Sequence, residues 1–271
     1  LSGDESSTYT FYAKAQDDEN QFSAVRSFNI ISIPPPNVDD PSEVYTLDSN
    51  TLFLLSSNTS NGSTTFADSS SASNTINVHG TTQHSTAHYK FGSSSILFDG
   101  NSDWLQLPDN ARWDHGTTGA FTYEAWVKFI STGHMNIFSR KNDGAGESTW
   151  YFRTNGNATT INLVLSNSGS AQTHYTRTIT DLSTTWHHWA MVRESENVIK
   201  QYIDGVQQGA TITTSHNVDS DYEGGSANNA TDILIGARVY DSDAVSQYFN
   251  GYMDEIRISN VARWTSNFSV T

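Results

Sequence analysis

At 271 residues the chain can form one large β domain or two smaller ones, either able to bury roughly three quarters of its unfolded surface. Its 29 acidic and 14 basic residues give a formal net charge of −15, a field that repels DNA, RNA and anionic lipid and excludes nucleic acid as an expected partner. Acidic polysaccharides are repelled too unless a divalent cation bridges the two surfaces, the absence of cysteine rules out disulfides and thiolate metal sites, and no apolar run approaches the roughly 20 residues of a membrane span.

The chain begins LSGDESSTYT, without a methionine or a signal peptide, and reads as a fragment of a longer protein. Residues 8–33 predict a β-hairpin: TYTFYAKA, the turn DDEN, then FSAVRSFNIISI, with both arms alternating apolar and polar. A lone hairpin is unstable in water. This one resembles the last two strands of an immunoglobulin-like or fibronectin-like repeat, the rest of which would come from upstream or from a neighbouring subunit. Asp17, Asp18 and Glu19 read as a solvated turn in preference to the alternative, a calcium site between repeats.

Pro34, Pro35, Pro36 and Pro41 cannot join a ladder and favour a stiff extended segment, which makes 34–45 a linker and 46–271 a second domain. VYTLDSNTLFLLSSN supplies its first strand, and the Ser/Thr/Asn/Gly-rich stretch Ser56 to Asn74 reads as a long loop. From Ile76 onward short strands recur about every ten residues with Gly, Asn or Asp between them: INVHG, HYKFG, SILFDG, WLQLP, FTYEAWVKF, NIFSRK, YFRTNG, INLVLS, YTRTIT, HHWAMVRE, VIKQYIDG, DILIGARVY and GYMDEIRIS. Even spacing without helical periods predicts an all-β, two-sheet antiparallel sandwich. Asp204-Gly205 predicts a tight hairpin. In GYMDEIRIS strict alternation puts Tyr252, Asp254, Ile256 and Ile258 on one face and Met253, Glu255 and Arg257 on the other. Asp254 then lies among isoleucines and needs a cation or hydrogen-bond donors, for which the stretch Ser95 to Pro108 is the expected source.

YKFGSSSILFDGNSDWLQLP, FTYEAWVKF, NIFSRK, TWHHWAMVRE, KQYIDGVQQG, DILIGARVY and YFNGYMDEIRISNVARWTSNF, in this order over residues 46–271, resemble the laminin G-like, concanavalin A-like lectin/glucanase jelly roll. The branch they resemble is that of bacterial adhesins and phage structural proteins. The resemblance implies twelve to fourteen antiparallel strands in two curved sheets and a calcium ion bound by loop oxygens. It points to Asp99 and Asp103 in FDGNSD together with Asp254 as the calcium ligands, against pairing of one of these carboxylates with Arg112, Arg238 or Arg257.

A glycoside hydrolase needs two carboxylates on one surface, and strict alternation sends Asp254 and Glu255 to opposite faces, while Glu124 has no acidic neighbour two residues away. His187 and His188 diverge as strand neighbours and read as packing beside Trp186 and Trp189. No G-x-S-x-G, P-loop or G-x-G-x-x-G occurs. Loop aromatics beside Asp and Asn suit sugar binding, which makes Tyr222, Tyr240, Asp241 and Asp243 the candidate ligand residues. The expected function is a non-catalytic module, extracellular or on a virion surface such as a phage tail fibre, that binds a glycan or cell-surface receptor. The alternatives are a structural or decoration role, as homo-oligomer or larger assembly, and a polysaccharide-degrading enzyme.

Overall fold

The computed structural model describes residues 8–13, 26–31, 45, 47–115, 118–141, 148–156, 159–167, 171–179, 185–214, 232–240 and 244–270. Two compact units divide the chain, Leu1–Val44 and Tyr45–Thr271. In the first, β1 (Thr8–Ala13) and β2 (Arg26–Ile31) pair antiparallel with Thr8 opposite Ile31, as their alternation predicts. The predicted turn and the prolines of the linker lie outside the described residues.

The second unit runs through β3 (Thr51–Leu55), β4 (Asn77–His79), β5 (Gln83–Ser85), β6 (Ser95–Asp99), β7 (Trp104–Leu107), β8 (Phe121–Phe129), β9 (Asn136–Lys141), β10 (Ser148–Thr154), β11 (Thr160–Asn167) and β12 (Ala171–Thr178). It continues through β13 (His187–Ser195), β14 (Val198–Ile203), β15 (Val206–Gln207), β16 (Ile212–Thr213), β17 (Ile233–Ile235), β18 (Arg238–Tyr240), β19 (Ala244–Ser246) and β20 (Asn250–Ser259). Among the described residues these form a seven-stranded sheet, β12-β11-β10-β9-β17-β7-β4, and a nine-stranded one in which β8 and β20 are central. Their inner faces share one core, to which β8 gives Phe121, Tyr123, Ala125, Val127 and Phe129 and β10 gives Trp150 and Phe152. This is the two-sheet sandwich that the period-2 pattern predicts. The sixteen strands of these two sheets exceed the expected twelve to fourteen because pieces as short as β15 and β16 pair separately.

The β14–β15 turn is the predicted one, with Asp204 and Gly205 at φ 49° and 74°, the geometry of a type I′ hairpin. Three local expectations are corrected. HYKFG is not a strand: residues 88–92 form a loop whose Lys90 and Phe91 amides donate to Asp254 Oδ2 at 3.0 and 3.1 Å. The donors Asp254 needs therefore come from just before Ser95–Pro108, while β6 itself pairs with β20. DILIGARVY breaks at Gly236 (φ 87°), where a Cβ would lie 2.7 Å from the Phe98 ring. The chain turns there out of the seven-stranded sheet into the β18–β19 hairpin.

The third correction concerns β20. Its register slips between Asp254 and Arg257, and Glu255 sits at φ 47°. A bulge of this kind inserts one residue and reverses which side later residues face. Met253 and then Ile256 and Ile258 enter the core. Asp254, Glu255 and Arg257 all meet partners on the outer side, so Asp254 does not share a face with the isoleucines. All of β20 except Asn250 is buried, because the outer face of this sheet is covered as well. Trp264 and Phe268 stack at 3.9 Å and 5° and pack on Ala190, Val192 and Tyr202.

Candidate functional site

The expected calcium ligands are not brought together. Asp99 Oδ1 closes its own turn by accepting from the Asn101 and Ser102 amides at 2.8 and 3.1 Å. Buried Asp103 accepts from Thr81 through Oδ1 and from the Asp99 amide through Oδ2. Asp254 is fully buried and four residues along β20 from Asn250, the residue opposite Asp99, a separation of about 13 Å at strand rise. Its oxygens accept from three amides, Lys90, Phe91 and Glu255. Burial pushes its pKa up to about 7, with the Glu255 charge adding and the amides opposing. No group of three or more candidate ligands forms among the described residues, and these three aspartates do not fit a shared ion.

The outer face of the nine-stranded sheet instead holds a closed charge network. Glu124 Oε1 takes the Arg257 Nε–H at 2.6 Å, and Glu124 Oε2 lies 2.9 Å from His188 Nε2. The Arg257 guanidinium stacks on the Tyr45 ring at 3.7 Å. Burial works to raise the Glu124 pKa, but the His188 bond and the Arg257 charge outweigh it and leave the carboxyl below its usual range. Glu255 accepts from Ser56 Oγ at 2.9 Å, and burial pushes its pKa up to about 7. The bulge thus puts Asp254 and Glu255 on one side, contrary to strict alternation. Both are buried, as is Glu124, so these three carboxyls are not open to a polysaccharide. His187 and His188 diverge as expected: His187 Nδ1 lies 2.6 Å from Asp204 Oδ2, while His188 turns to Glu124.

A second polar region lies on the seven-stranded sheet, where Tyr240 leads. Tyr240 is 48% exposed and stacks under the Arg238 guanidinium at 4.5 Å. Tyr222, Asp241 and Asp243 lie outside the described residues. The alternation of STWYFRT sends Trp150 and Phe152 into the core and leaves Tyr151 and Arg153 facing away from it. The β18–β19 hairpin packs over β9 and β10, so both are buried, and Arg238 lies 4.2 Å above the Tyr151 ring.

Sheet register then sets Asn136, Arg153 and Asn162 side by side. Arg153 Nη1 donates to Gln247 Oε1 at 2.8 Å, and Asn136 Nδ2 donates to the Gln247 carbonyl at 3.1 Å. Asn162 Nδ2 meets His174 Nδ1 at 3.1 Å. Three buried atoms of this row, Asn136 Oδ1, Arg153 Nε and Asn162 Oδ1, have no hydrogen-bond partner among the described residues, although buried polar atoms are nearly always satisfied. Sequence reading missed Arg153, Asn162 and Tyr151; the available signal was polar residues at alternate positions opposite large apolar ones in β10 and β11.

Residues 99–266, more than half of the chain, match the family model described as the concanavalin A-like lectin/glucanases superfamily. A search of curated protein sequences finds no match. Similar solved structures include the binding domain of a paraclostridial mosquitocidal protein, with 13% identity and TM-score 0.58, covering 79% of this chain and 49% of that one. The binding domain of botulinum neurotoxin DC, solved in complex with rat synaptotagmin II, has 12% identity and TM-score 0.55 and covers 80% and 49%. A structure of botulinum neurotoxin type C, whose cell entry depends on interaction with two ganglioside molecules, has 13% identity and TM-score 0.54 and covers 79% and 48%. At these identities the likeness is one of fold, and the chain spans about half the length of the structures it matches.

Proposed function

We propose, from the premise that this chain belongs to the concanavalin A-like lectin/glucanases superfamily, that it is a non-catalytic recognition module that binds a glycan or glycan-bearing receptor outside the cell or on a virion surface. The carrying observation is the row Asn136, Arg153 and Asn162, with donor and acceptor atoms left unpaired among the described residues, linked through Tyr151 and Arg238 to the half-exposed ring of Tyr240. A sugar supplies a ring face for the tyrosine and hydroxyls for the amides. The named functions of the similar toxin structures, receptor and ganglioside binding, support this reading by analogy of fold. Asp254 lies under the 88–92 loop, and the Trp264–Phe268 stack lies against His188, the partner of Glu124.

The test is a glycan array run beside a reducing-sugar assay. Binding without sugar release, lost in Tyr240→Ala, is the expected result. Release of reducing ends would make the protein an enzyme, and self-association with no glycan bound would make it an assembly element.

A further inference from the structure

We infer that the glycan recognised here carries a carboxylate, and that this group takes the place on Arg153 now held by the side-chain amide of Gln247. This rests on the recognition reading above and names the chemical class of its ligand. Arg153 is 7% exposed, and among the described residues its single hydrogen-bond partner is the neutral Oε1 of Gln247, with Nε unpaired. A buried guanidinium normally pairs with a carboxylate, because among protein side chains only that acceptor matches two of its N–H groups at once and cancels its charge. Arg153 has no such partner among the described residues.

The surroundings concentrate the mismatch. In a chain with 29 acidic and 14 basic residues, His134 and His174 each lie within electrostatic reach of both Arg153 and Arg238. Burial first, then the charges of Arg153 and Arg238, lower the pKa of both His134 and His174. Arg153 is itself lowered by burial and by Arg238, against the opposing effect of Tyr151. His134, His174 and Tyr240 are exposed and Gln247 is partly so, while Arg153 and Arg238 are buried. A ligand therefore meets imidazoles and a tyrosine ring first and a guanidinium behind them.

Gln247 is the movable part. It sits at φ 53°, where a non-glycine residue is strained, and its amide carbonyl accepts from both Arg153 and Asn136. A carboxylate in its place accepts from Nη1 and Nη2 together, a fork that one neutral amide oxygen cannot fill, and the unpaired Asn162 Oδ1 accepts from a neighbouring sugar hydroxyl. The overall charge of −15 disfavours long polyanions, so the fit is to a single terminal acidic sugar.

Calorimetry on the full chain tests this with oligosaccharides ending in N-acetylneuraminic acid or glucuronic acid, their methyl esters, and neutral counterparts. The acids should bind at least about tenfold more tightly than the esters. Gln247→Glu places a carboxylate on Arg153 from within and should abolish acid binding while raising the melting temperature, which shows that the variant folds. Gln247→Ala should keep acid binding. Equal binding of acid and ester, or acid binding unchanged in Gln247→Glu, would overturn the inference and leave a neutral-glycan module. Failure of every glycan, acidic or neutral, would overturn the recognition reading as well.

Discussion

Replacing Glu255 by Gln should stabilise the second unit above neutral pH and change it little near pH 4.5. Glu255 is 7% exposed and makes one short contact, from Ser56 Oγ, which a glutamine carbonyl can still accept. Burial raises its pKa from 4.5 to about 7. Between those values the folded chain holds a proton that the unfolded chain has released, so stability falls as pH rises, and the loss is complete above about pH 7. A tenfold change in proton affinity is worth about 1.4 kcal/mol, which puts the loss near ~3 kcal/mol. Glutamine cannot ionise and escapes it. The Glu255 charge also helps raise Asp254, so the variant should ease that group as well. For a domain of this size the gain corresponds to roughly 6–12 °C in melting temperature. Urea titrations of both proteins at pH 5 and 8.5 read it directly. If the difference between variant and wild type were the same at the two pH values, Glu255 would not be titrating in the folded state as described.

Further substitutions probe the frame of the fold. Arg257→Met strips Glu124 of its closest cation while leaving it fully buried, and should cost about 3–5 kcal/mol; the double variant with Glu124→Gln should recover part of that loss in the same denaturation assay. Gly236→Ala places a Cβ at φ 87° against the Phe98 ring and should cost on the order of 2 kcal/mol, whereas Gly209→Ala meets the long side chain of Arg177 and should lower the melting temperature less.

Much of the fold was legible because both faces of most strands follow period 2. FTYEAWVKF and STWYFRT each place large apolar residues at alternate positions, and those residues are the core. What escaped is what depends on distant partners. No local pattern marks a bulge at Glu255, a residue that rarely adopts positive φ, and only the strain and pairing of the whole sheet impose one. Glu124 and His188 are 64 residues apart in sequence, so their bond was not readable from either stretch. HYKFG alternates like a strand, yet its amides are drawn to Asp254. At the candidate site Tyr240 was legible from its loop composition, while Arg153 was not, since an arginine opposite a core face usually points to solvent and here a hairpin covers it.

The place of β20 also shapes how the chain comes to be folded. It pairs with β8, β6 and β3, yet it follows every other described strand in sequence. Until residue 259 has left the ribosome, β6 and β8 lack the strand that lies between them in the sheet. Such unpaired edges are sticky, and contacts closed over roughly two hundred residues form slowly. The second unit is thus exposed to misassociation until its last strand has emerged. Conditions that slow translation or raise temperature should lower the yield of soluble protein even where the finished fold is stable.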